Sequence, residues 1–412
     1  MVAERRVQAC IAGGGPAGLM LGLLLARAGV KVLVLEKHAD FLRDFRGDTI
    51  HPSTLEVMHE LGLLEGLLKL PHQKVPRLAA QFGDDTIALA DFANVAVRCP
   101  FIAMMPQWDF LNYLAGEARR YPGFDLMMQA EATDLISENG AVVGVSVTTP
   151  DGPLNVHCGL VIGADGRSSI LRSKSGLKVE DLGAPMDALW FRLSRKAGDT
   201  DQTQGRFDQG RIFVMLNRGD YWQVAYVIAK GTFEALKASG IGSFRSKLGS
   251  LLPFEAARAN EVTSLDDLKL LSVQVNRLTT WYKPGLLFIG DAAHAMSPVG
   301  GVGINLAVQD AVAAANILAK PLLNGSAVVE TLAAVQKRRF FPTRATQAMQ
   351  VLVQNRLITP ALTGAAGPAP FRAPLMLRLL TRVPYLRRFP ARLLGLGVRP
   401  EHVAPFIRES LG

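Results

Sequence analysis

Three glycines and one acid near the N-terminus have the spacing of a phosphate-binding turn. Gly13, Gly15 and Gly18 form a G-x-G-x-x-G pattern, and Glu36 follows Gly18 by eighteen residues. In such a pattern the glycines allow a tight turn, a close approach of backbone to pyrophosphate and close helix–strand packing, while the acid accepts from ribose hydroxyls. The sequence therefore predicts a dinucleotide site formed by Gly13, Gly15, Pro16, Ala17, Gly18, Glu36 and Lys37.

Two later acids stand at the ends of apolar runs. Asp165 follows "LVIGA" and precedes Gly166, whereas Asp291 follows "LLFI" and Gly290. Taken alone, each could be a strand end with an Asx turn. Together with the N-terminal pattern they indicate two further turns that contact the same cofactor.

The elements that must hold these residues follow from the apolar runs. A strand over 6–12, a helix over 16–28 and a strand ending at Glu36 surround the first turn, which explains this segment better than a secretory signal does. Strand composition returns over 186–195, and two strand-like runs flank the turn "NRGD" within 211–230, which predicts a hairpin. Alternating strands and helices followed by consecutive strands indicate an α/β domain combined with an antiparallel sheet.

Composition excludes several classes of protein. The chain has 412 residues, 49% hydrophobic and 20% charged, which is typical of an ordered globular enzyme. Its three cysteines and seven histidines have no ligand spacing, so neither a disulfide framework nor a metal site is predicted. The net charge of +9 lies mainly in the segment from Arg356 onward, where nine arginines and two glutamates leave +7, but no nucleic-acid motif accompanies them. The longest apolar run near the N-terminus is too short to span a membrane, and no other such run is found in the sequence.

The three turns together resemble a known family. The fingerprint with Glu36, the Asp165-Gly166 pair and the Gly290-Asp291 pair occur in the order of three signatures of the single-component FAD-dependent aromatic hydroxylases, the p-hydroxybenzoate hydroxylase-like group A monooxygenases. The segments 45–56 and 105–114 resemble two further cofactor-contacting segments of that family. The resemblance implies a doubly wound, Rossmann-like FAD domain interleaved with an antiparallel-sheet substrate domain and followed by a helical C-terminal part.

The resemblance also implies roles for individual residues. Arg46 would hold the FAD phosphates or ribityl chain, Gln107 would bond the ribityl chain, and Asp165 would lie near both cofactors with Arg167 beside it. Gly290 and Asp291 would contact the ribityl or phosphate region. The loop that follows would lie against the isoalloxazine ring through Pro298, Gly300, Gly301, Gly303, Ile304 and Asn305.

The glycines of this loop suit a position beside the isoalloxazine ring. Side chains at Gly300, Gly301 and Gly303 would obstruct the flavin edge, and a helix beginning near Gly303 would stabilise negative charge there. Many relatives carry glutamine where this chain has Val302, which leaves the local hydrogen bonding open.

The activity implied is that of an NAD(P)H- and FAD-dependent monooxygenase. It would insert one oxygen atom of O2 into an aromatic or other electron-rich, fairly hydrophobic substrate through a flavin C4a-hydroperoxide. No catalytic side chain is assigned, and NADH is not distinguished from NADPH. The alternatives are an FAD-dependent halogenase, against which the missing W-x-W-x-I-P stretch speaks, a geranylgeranyl-reductase-like oxidoreductase, and a flavin-binding module without turnover.

The predicted organisation assigns each segment to a domain. The FAD domain comprises 1–75, 106–180 and 278–325, the substrate domain comprises 76–105 and 181–277, and a basic helical segment covers 326–412. Substrate candidates on the predicted sheet are Trp190, Arg192, Met215, Tyr221 and Trp222. Strand alternation puts Ala188, Trp190 and Arg192 on one face and Leu189, Phe191 and Leu193 on the other, but the face directed at the flavin is left open, and a core role for the aromatic residues is the alternative.

The C-terminal segment interleaves arginines with leucines. Prolines at 374, 384 and 390 are expected to break it into short helices, which could lie on anionic lipid or form a basic cap or a dimer surface. We therefore predict a cytoplasmic protein, peripheral to the inner face of the membrane if that segment contacts lipid. It would be a monomer or homodimer acting on a small aromatic or polyene-like molecule and not on nucleic acid.

Overall fold

A mostly parallel sheet forms the centre of the molecule. The structure, a computed structural model, describes residues 2–42, 49–83, 85–200, 203–208, 210–325, 328–363 and 372–409. The order across the sheet is Tyr282–Lys283, Leu286–Phe288, Gly152–Gly163, Ala3–Ala12, Val32–Glu36 and Phe124–Met128. The last five of these strands are parallel, and the antiparallel strands Ala141–Thr149 and Glu131–Glu138 extend the sheet from Gly152–Gly163.

The parallel strands are apolar along their length because helices cover the sheet. All five residues of Val32–Glu36 and the last four of Ala3–Ala12 are buried. Helix Pro16–Arg27 packs against helix Gly303–Leu323, and nearly every residue of the first helix and most residues of the second are buried. A fully covered parallel sheet is the arrangement that doubly wound α/β folds adopt.

Seven strands form the second sheet. Their order is Lys269–Leu271, Met186–Ser194, Tyr221–Ala229, Arg211–Asn217, Gln204–Asp208, Arg77–Phe82 and Asp85–Asp91, with Gln204–Asp208 and Arg77–Phe82 parallel and the other pairs antiparallel. Two small sheets complete the strands: Thr49–Ile50 with Ile102–Met104 and Gln73–Val75, and Val179–Asp181 with Asn276–Leu278. The predicted hairpin over 211–230 is confirmed.

The two faces of the seven-stranded sheet differ in what covers them. Leu189, Phe191 and Leu193 form a core with residues of helices Phe233–Ala238 and Gly240–Gly249. The opposite face packs partly against Ile358, Ala361 and Ala373, which follow the long helix Val329–Val353. Alternation along Met186–Ser194 thus follows the prediction.

The remaining helices lie around the two sheets. They are Pro52–Glu60, Leu64–Leu67, Gln107–Ala118, Ile170–Ser175, Val329–Val353, Thr359–Thr363, Leu375–Arg382, Arg388–Leu396 and Pro405–Arg408. Within the described ranges one helical segment is long and apolar enough to cross a membrane. It is Val299–Leu323, which combines a short 3₁₀ turn with helix Gly303–Leu323, but 83% of its most apolar stretch is buried inside the protein. That helix therefore has the burial of a core helix, which length and composition alone do not reveal.

The C-terminal helices correct one detail of the prediction. Pro374 precedes helix Leu375–Arg382, and Pro384 opens the short 3₁₀ turn Pro384–Arg387. Pro390, however, does not break a helix, because it lies within Arg388–Leu396. It occupies the first turn, where a backbone N–H has no partner within the helix and proline is tolerated.

Candidate functional site

The three predicted turns meet at one edge of the central sheet. In the parallel register Ala12 lies beside Gly163, and Gly163 lies beside Phe288. The residues that follow these strands are Gly13, Ala164 and Ile289, so all three turns leave the sheet at its carboxyl edge. Ligands of doubly wound sheets bind at this edge.

The first turn is built for a close backbone approach. Gly13 has φ +110°, and a Cβ there would lie 2.3 Å from the Ala164 carbonyl oxygen. A Cβ on Gly18 would lie 1.9 Å from the Gly13 carbonyl oxygen, so both glycines are required by the protein itself. A Cβ on Gly15 would instead point into open space at the N-terminus of helix Pro16–Arg27. Free N–H groups facing open space beside a bare backbone suit a diphosphate group.

Glu36 is the last residue of strand Val32–Glu36, and its side chain orders the first turn. Its Oε2 accepts from the Gly14 N–H at 3.0 Å, and its Oε1 accepts from the His38 N–H at 3.1 Å. The side chain is almost fully buried beside the turn. Lys37, the next residue, points outward and lies 3.7 Å from a carboxylate oxygen of Glu131, so its side chain takes part in a surface ion pair.

Asp165 carries a buried acceptor without a partner in the protein. Its Oδ2 accepts from the Leu171 N–H at 3.3 Å, whereas its Oδ1 is buried without a hydrogen bond. Burial raises the pKa of the Asp165 carboxyl group. A buried orphan acceptor is costly unless a bound group donates to it, and a ribityl or ribose hydroxyl would do so.

Two arginines join the second and third turns. Arg167 Nη2 lies 3.4 Å from Asp291 Oδ2, and Arg172 Nη2 donates to the Arg167 carbonyl oxygen at 2.6 Å. Arg172 Nη1 donates to the Ala292 carbonyl oxygen and to Asn276 Oδ1, both at 3.2 Å. Burial lowers the pKa of Arg172, while Asp165 and Asp291 raise it. The site therefore has one ion pair, between Arg167 and Asp291, and a second guanidinium group that interacts electrostatically with Asp165 and Asp291.

The loop over residues 298–305 has three glycines with different reasons to be glycine. Gly300 has φ +79° and Gly301 has φ +63°. A Cβ on Gly300 would lie 2.8 Å from a Leu394 methyl group, and one on Gly301 would lie 2.5 Å from Thr49 Oγ1. A Cβ on Gly303 would meet nothing within 4 Å. Open space thus lies beside Gly303, whereas Gly300 and Gly301 are fixed by their own backbone and neighbours.

The side chains of Ile304 and Asn305, at the start of helix Gly303–Leu323, already make contacts within the protein. Asn305 Oδ1 accepts from the His51 N–H at 2.9 Å and from Thr54 Oγ1 at 2.6 Å. Ile304 is buried in the main core. Only the backbone N–H groups of the first turn are therefore left for a ligand, and they carry the positive end of the helix dipole.

A buried charge network holds the third turn in place. Asp310 Oδ2 accepts from the Gly290 N–H at 3.0 Å and lies 2.5 Å from His294 Nε2, while its Oδ1 accepts from Arg339 Nε at 2.9 Å. Arg339 Nη1 also donates to Glu401 at 3.1 Å. Burial acts to raise the pKa of Asp310, but His294 and Arg339 hold that pKa below its ordinary value. His294 is thus part of a structural network.

His51 links the 298–305 loop to the C-terminal segment. Its Nδ1 lies 2.7 Å from the Leu394 carbonyl oxygen, which can only accept, so Nδ1 carries the hydrogen. Its Nε2 is buried without a partner. Burial lowers the pKa of His51 to about 4, although the Leu394 hydrogen bond acts in the opposite direction. The ring is therefore neutral at physiological pH.

This depressed pKa predicts an acid-sensitive contribution to stability. His51 takes up a proton near pH 6.5 in the unfolded protein but only near pH 4 in the folded protein. The contribution to stability is therefore complete above pH 6.5 and is lost as the pH falls from there towards 4. We expect it to be on the order of 3 kcal/mol. Urea unfolding of the wild type and His51→Gln between pH 7 and pH 4 should give a smaller loss for the variant. An exposed histidine, in His59→Gln, is the control, and an equal pH dependence for all three proteins would contradict the assignment.

The other predicted residues lie in several places. Arg46 falls outside the described residues. Gln107 begins helix Gln107–Ala118 and is half-buried. Among the described residues no group of three or more His, Cys, Asp or Glu side chains is placed to hold a metal ion.

The substrate candidates divide between the two faces of the seven-stranded sheet. Trp190 shares its face with Met186, which packs in the same cluster as Val299 of the 298–305 loop. Met215 and Trp222 lie in the opposite core and are fully buried under the helices. Their placement argues against substrate contact, because a side chain on the other face cannot reach the loop.

Arg192 and Tyr221 share the face of Trp190. The Arg192 guanidinium lies 4.7 Å from the centre of the Tyr221 ring, and Arg192 itself is exposed. Trp190 Nε1 is buried without a hydrogen-bond partner. Of the five candidates, Trp190 therefore combines the right face with an unused donor.

Three functional positions were not found from the sequence. Arg172 joins the second turn to the third turn. Asp310 joins the third turn to helix Gly303–Leu323. His51 contacts the C-terminal segment. A charged residue amid the apolar run of helix Gly303–Leu323 was the available signal for Asp310. The other two have no distinctive spacing, since each contacts residues more than a hundred positions away.

Comparison with known proteins agrees with this geometry. Residues 6–350 match the family model described as FAD binding domain. The chain is 29% identical over 359 residues to 6-methylpretetramide 4-monooxygenase of Streptomyces rimosus, covering 87% of this chain and 86% of that protein. It is also 29% identical to 12-dehydrotetracycline 5-monooxygenase/anhydrotetracycline 6-monooxygenase of Streptomyces rimosus subsp. rimosus, covering 74% of this chain but 61% of that one, so it spans less than two thirds of this relative.

Solved structures share the fold. The OxyS anhydrotetracycline hydroxylase from Streptomyces rimosus superposes with a TM-score of 0.72 at 27% identity, covering 96% of this chain and 77% of that one. CmlS, a flavin-dependent halogenase, has a TM-score of 0.73 at 21% identity, over 96% of this chain and 74% of that one, and this likeness concerns the fold alone. The predicted α/β fold, the FAD cofactor and the monooxygenase reaction are confirmed. The chain therefore belongs to the FAD binding domain family and is an FAD-dependent monooxygenase.

Proposed function

We propose that this monooxygenase hydroxylates a flat aromatic molecule that carries a phenol or ketone oxygen. The observation that carries the proposal is the face of the seven-stranded sheet beside the 298–305 loop, where a buried indole N–H has no partner. Relatives named as monooxygenases of 6-methylpretetramide and of anhydrotetracycline support a substrate of this class. NADH or NADPH is the electron donor of this class of enzyme.

The chain's own residues would hold FAD along the carboxyl edge of the central sheet. The first turn and the N-terminus of helix Pro16–Arg27 would receive the diphosphate, and Glu36 would accept from a ribose hydroxyl. Asp165 would accept from a hydroxyl through its orphan Oδ1. When bound, FAD supplies hydride acceptance and the activation of O2. The N–H groups at the start of helix Gly303–Leu323 would stabilise negative charge beside the 298–305 loop.

The substrate would lie in a shallow trough on the sheet. Trp190 lies opposite Ala225, Ala225 opposite Val214, and Val214 opposite Gly205, so this row across four strands has small side chains beyond Trp190. The rows on either side carry larger residues, including Ile212, Phe207 and Leu216. A flat ring system would fit between the two rows of larger side chains, with the Trp190 N–H donating to its oxygen.

Removing that donor should weaken substrate binding. We expect Trp190→Phe, which keeps an aromatic ring but loses the N–H, to raise KM roughly 3- to 10-fold for a substrate with an oxygen at that position. Tyr221→Phe is the matched control, because it removes a polar group on the same face and leaves the ring under Arg192. Equal KM values for Trp190→Phe and the wild type would remove Trp190 from the site.

A substrate panel tests the function itself. Substrate-stimulated NAD(P)H oxidation should appear with fused-ring phenols and their quinone or ketone forms, and not with aliphatic alkenes of similar size. Stimulation by the alkenes alone would overturn the aromatic assignment. A chloride-dependent halogenated product would instead identify the halogenase alternative.

We also propose that the chain is divided into an FAD domain and a substrate domain. The division into FAD and substrate domains is supported by the two large sheets, although strand Ile102–Met104, inside the predicted 76–105 segment, pairs with Thr49–Ile50 and Gln73–Val75. A monomer or homodimer in the cytoplasm is proposed on the sequence evidence alone.

A further inference from the structure

The C-terminal segment presents a basic, apolar outer surface. Of the large hydrophobic side chains that are exposed in the described residues, a cluster lies in this short segment, and Leu375, Tyr385 and Phe389 are 79%, 60% and 56% exposed. Leu379 and Val383 are also exposed. The outer surface of residues 375–392 is hereafter called the basic apolar surface.

The inner side of the same segment is firmly packed. Ala391 and Gly395 are buried, and a Cβ on Gly395 would lie 3.0 Å from the Phe92 ring and 3.2 Å from Pro52. Leu377 packs in the cluster that contains Val299. The segment is therefore docked through one face, and its exposed apolar residues belong to the other.

Arginines surround the exposed apolar residues. Between residues 372 and 399 the sequence has seven arginines and no lysine, aspartate or glutamate. Arg378 and Arg382 lie next to Leu375 and Leu379 at helical spacing, and Arg392 is exposed in the second helix. The Arg388 guanidinium lies 3.6 Å from the centre of the Tyr385 ring and 4.9 Å from that of Phe389.

This charge pattern selects among the partners that could cover the surface. A second copy of the chain docked through the same surface would place arginines against arginines, with no carboxylate among residues 372–399 to pair with them. An anionic lipid surface satisfies both features, because the arginines are attracted to phosphate headgroups while the leucine and aromatic side chains enter the acyl boundary. We propose that the basic apolar surface binds the anionic face of a lipid bilayer.

Such binding would bring the 298–305 loop close to the bilayer. Leu394 of helix Arg388–Leu396 lies against Gly300, since a Cβ on Gly300 would come within 2.8 Å of a Leu394 methyl group. The loop is thus separated from the outer surface by one helix, about 10 Å in diameter. A hydrophobic aromatic molecule dissolved in the membrane would have a short route to this part of the protein.

Vesicle sedimentation of the FAD-loaded enzyme tests the proposal. The wild type should sediment with vesicles that contain phosphatidylglycerol, should not sediment with pure phosphatidylcholine vesicles, and should be released from the former by high salt. Reversing two charges in Arg382→Glu/Arg392→Glu should weaken binding at least about tenfold. The matched control reverses two exposed lysines elsewhere, in Lys69→Glu/Lys247→Glu, and should bind like the wild type.

The apolar contribution needs its own variant. Leu375→Ser/Phe389→Ser should weaken binding several-fold, whereas Val2→Ser/Leu270→Ser, which changes two exposed residues on other surfaces, should not. Bound FAD reports that every variant is folded. No sedimentation of the wild type with anionic vesicles, or equal sedimentation of the arginine variant and its control, overturns the proposal. A change of mass in sedimentation equilibrium for the Leu375 and Phe389 variant, with no change in lipid binding, would assign the surface to a second copy.

Discussion

Gly15→Ala is expected to weaken FAD binding roughly 10- to 100-fold while the apoprotein keeps its stability. The apoprotein should tolerate the change because Gly15 has φ −76° and an added Cβ would meet no protein atom within 4 Å. The holoprotein should not, because that open space is where the diphosphate is expected to approach the backbone. Titration of the apoprotein with FAD, followed by flavin fluorescence quenching, gives the affinity.

A second glycine in open space provides the control. Gly116 lies inside helix Gln107–Ala118, and a Cβ there would also meet nothing. Gly116→Ala should leave FAD affinity unchanged and stabilise the protein by about 0.5–1 kcal/mol, because alanine favours helix more than glycine does. If Gly15→Ala binds FAD as tightly as Gly116→Ala, the first turn does not carry the diphosphate.

Asp310→Asn is expected to lower the free energy of unfolding by about 3–5 kcal/mol. Asp310 is fully buried between His294 and Arg339, and the change removes the negative charge that faces both. Arg339 would keep Glu401 as its buried partner, but Glu401 also forms an ion pair with Arg338. The Gly290 N–H could still bond the amide oxygen, so the loss should come from the uncompensated charge.

The control for this prediction is an exposed ion pair. Asp134 and Lys174 lie 3.1 Å apart with about half of each side chain exposed, so Asp134→Asn should cost less than about 1 kcal/mol. Urea unfolding of both variants at saturating FAD compares the two sites. Similar losses would show that the Asp310 network does not stabilise the third turn as described.

The cofactor turns could be predicted because their signals are local. Each requires a glycine or an acid directly after an apolar strand, and parallel strands bring their ends to one edge without further information. Strand alternation likewise separates Trp190 from Phe191. Alternation does not say which face is covered by helices, however, so the sequence alone does not separate Met215 and Trp222, which lie in the opposite core, from the residues on the face of Trp190.

The contacts that fix the site depend on residues distant in sequence. Gly300 and Gly301 are required by Leu394 and Thr49 as much as by any ligand, and no spacing within the loop indicates those neighbours. Pro390 shows a related limit, because proline breaks a helix interior but is accepted in a first turn, and the sequence does not mark where that turn begins.

Product analysis in ¹⁸O2 tests the central claim most directly. The FAD-loaded enzyme, supplied with NAD(P)H and an accepted aromatic substrate, should yield a product that contains one ¹⁸O atom, with none incorporated from labelled water. Consumption of NAD(P)H with hydrogen peroxide as the only oxygen product for every substrate in the panel, or a product free of ¹⁸O, would contradict a monooxygenase acting through this site.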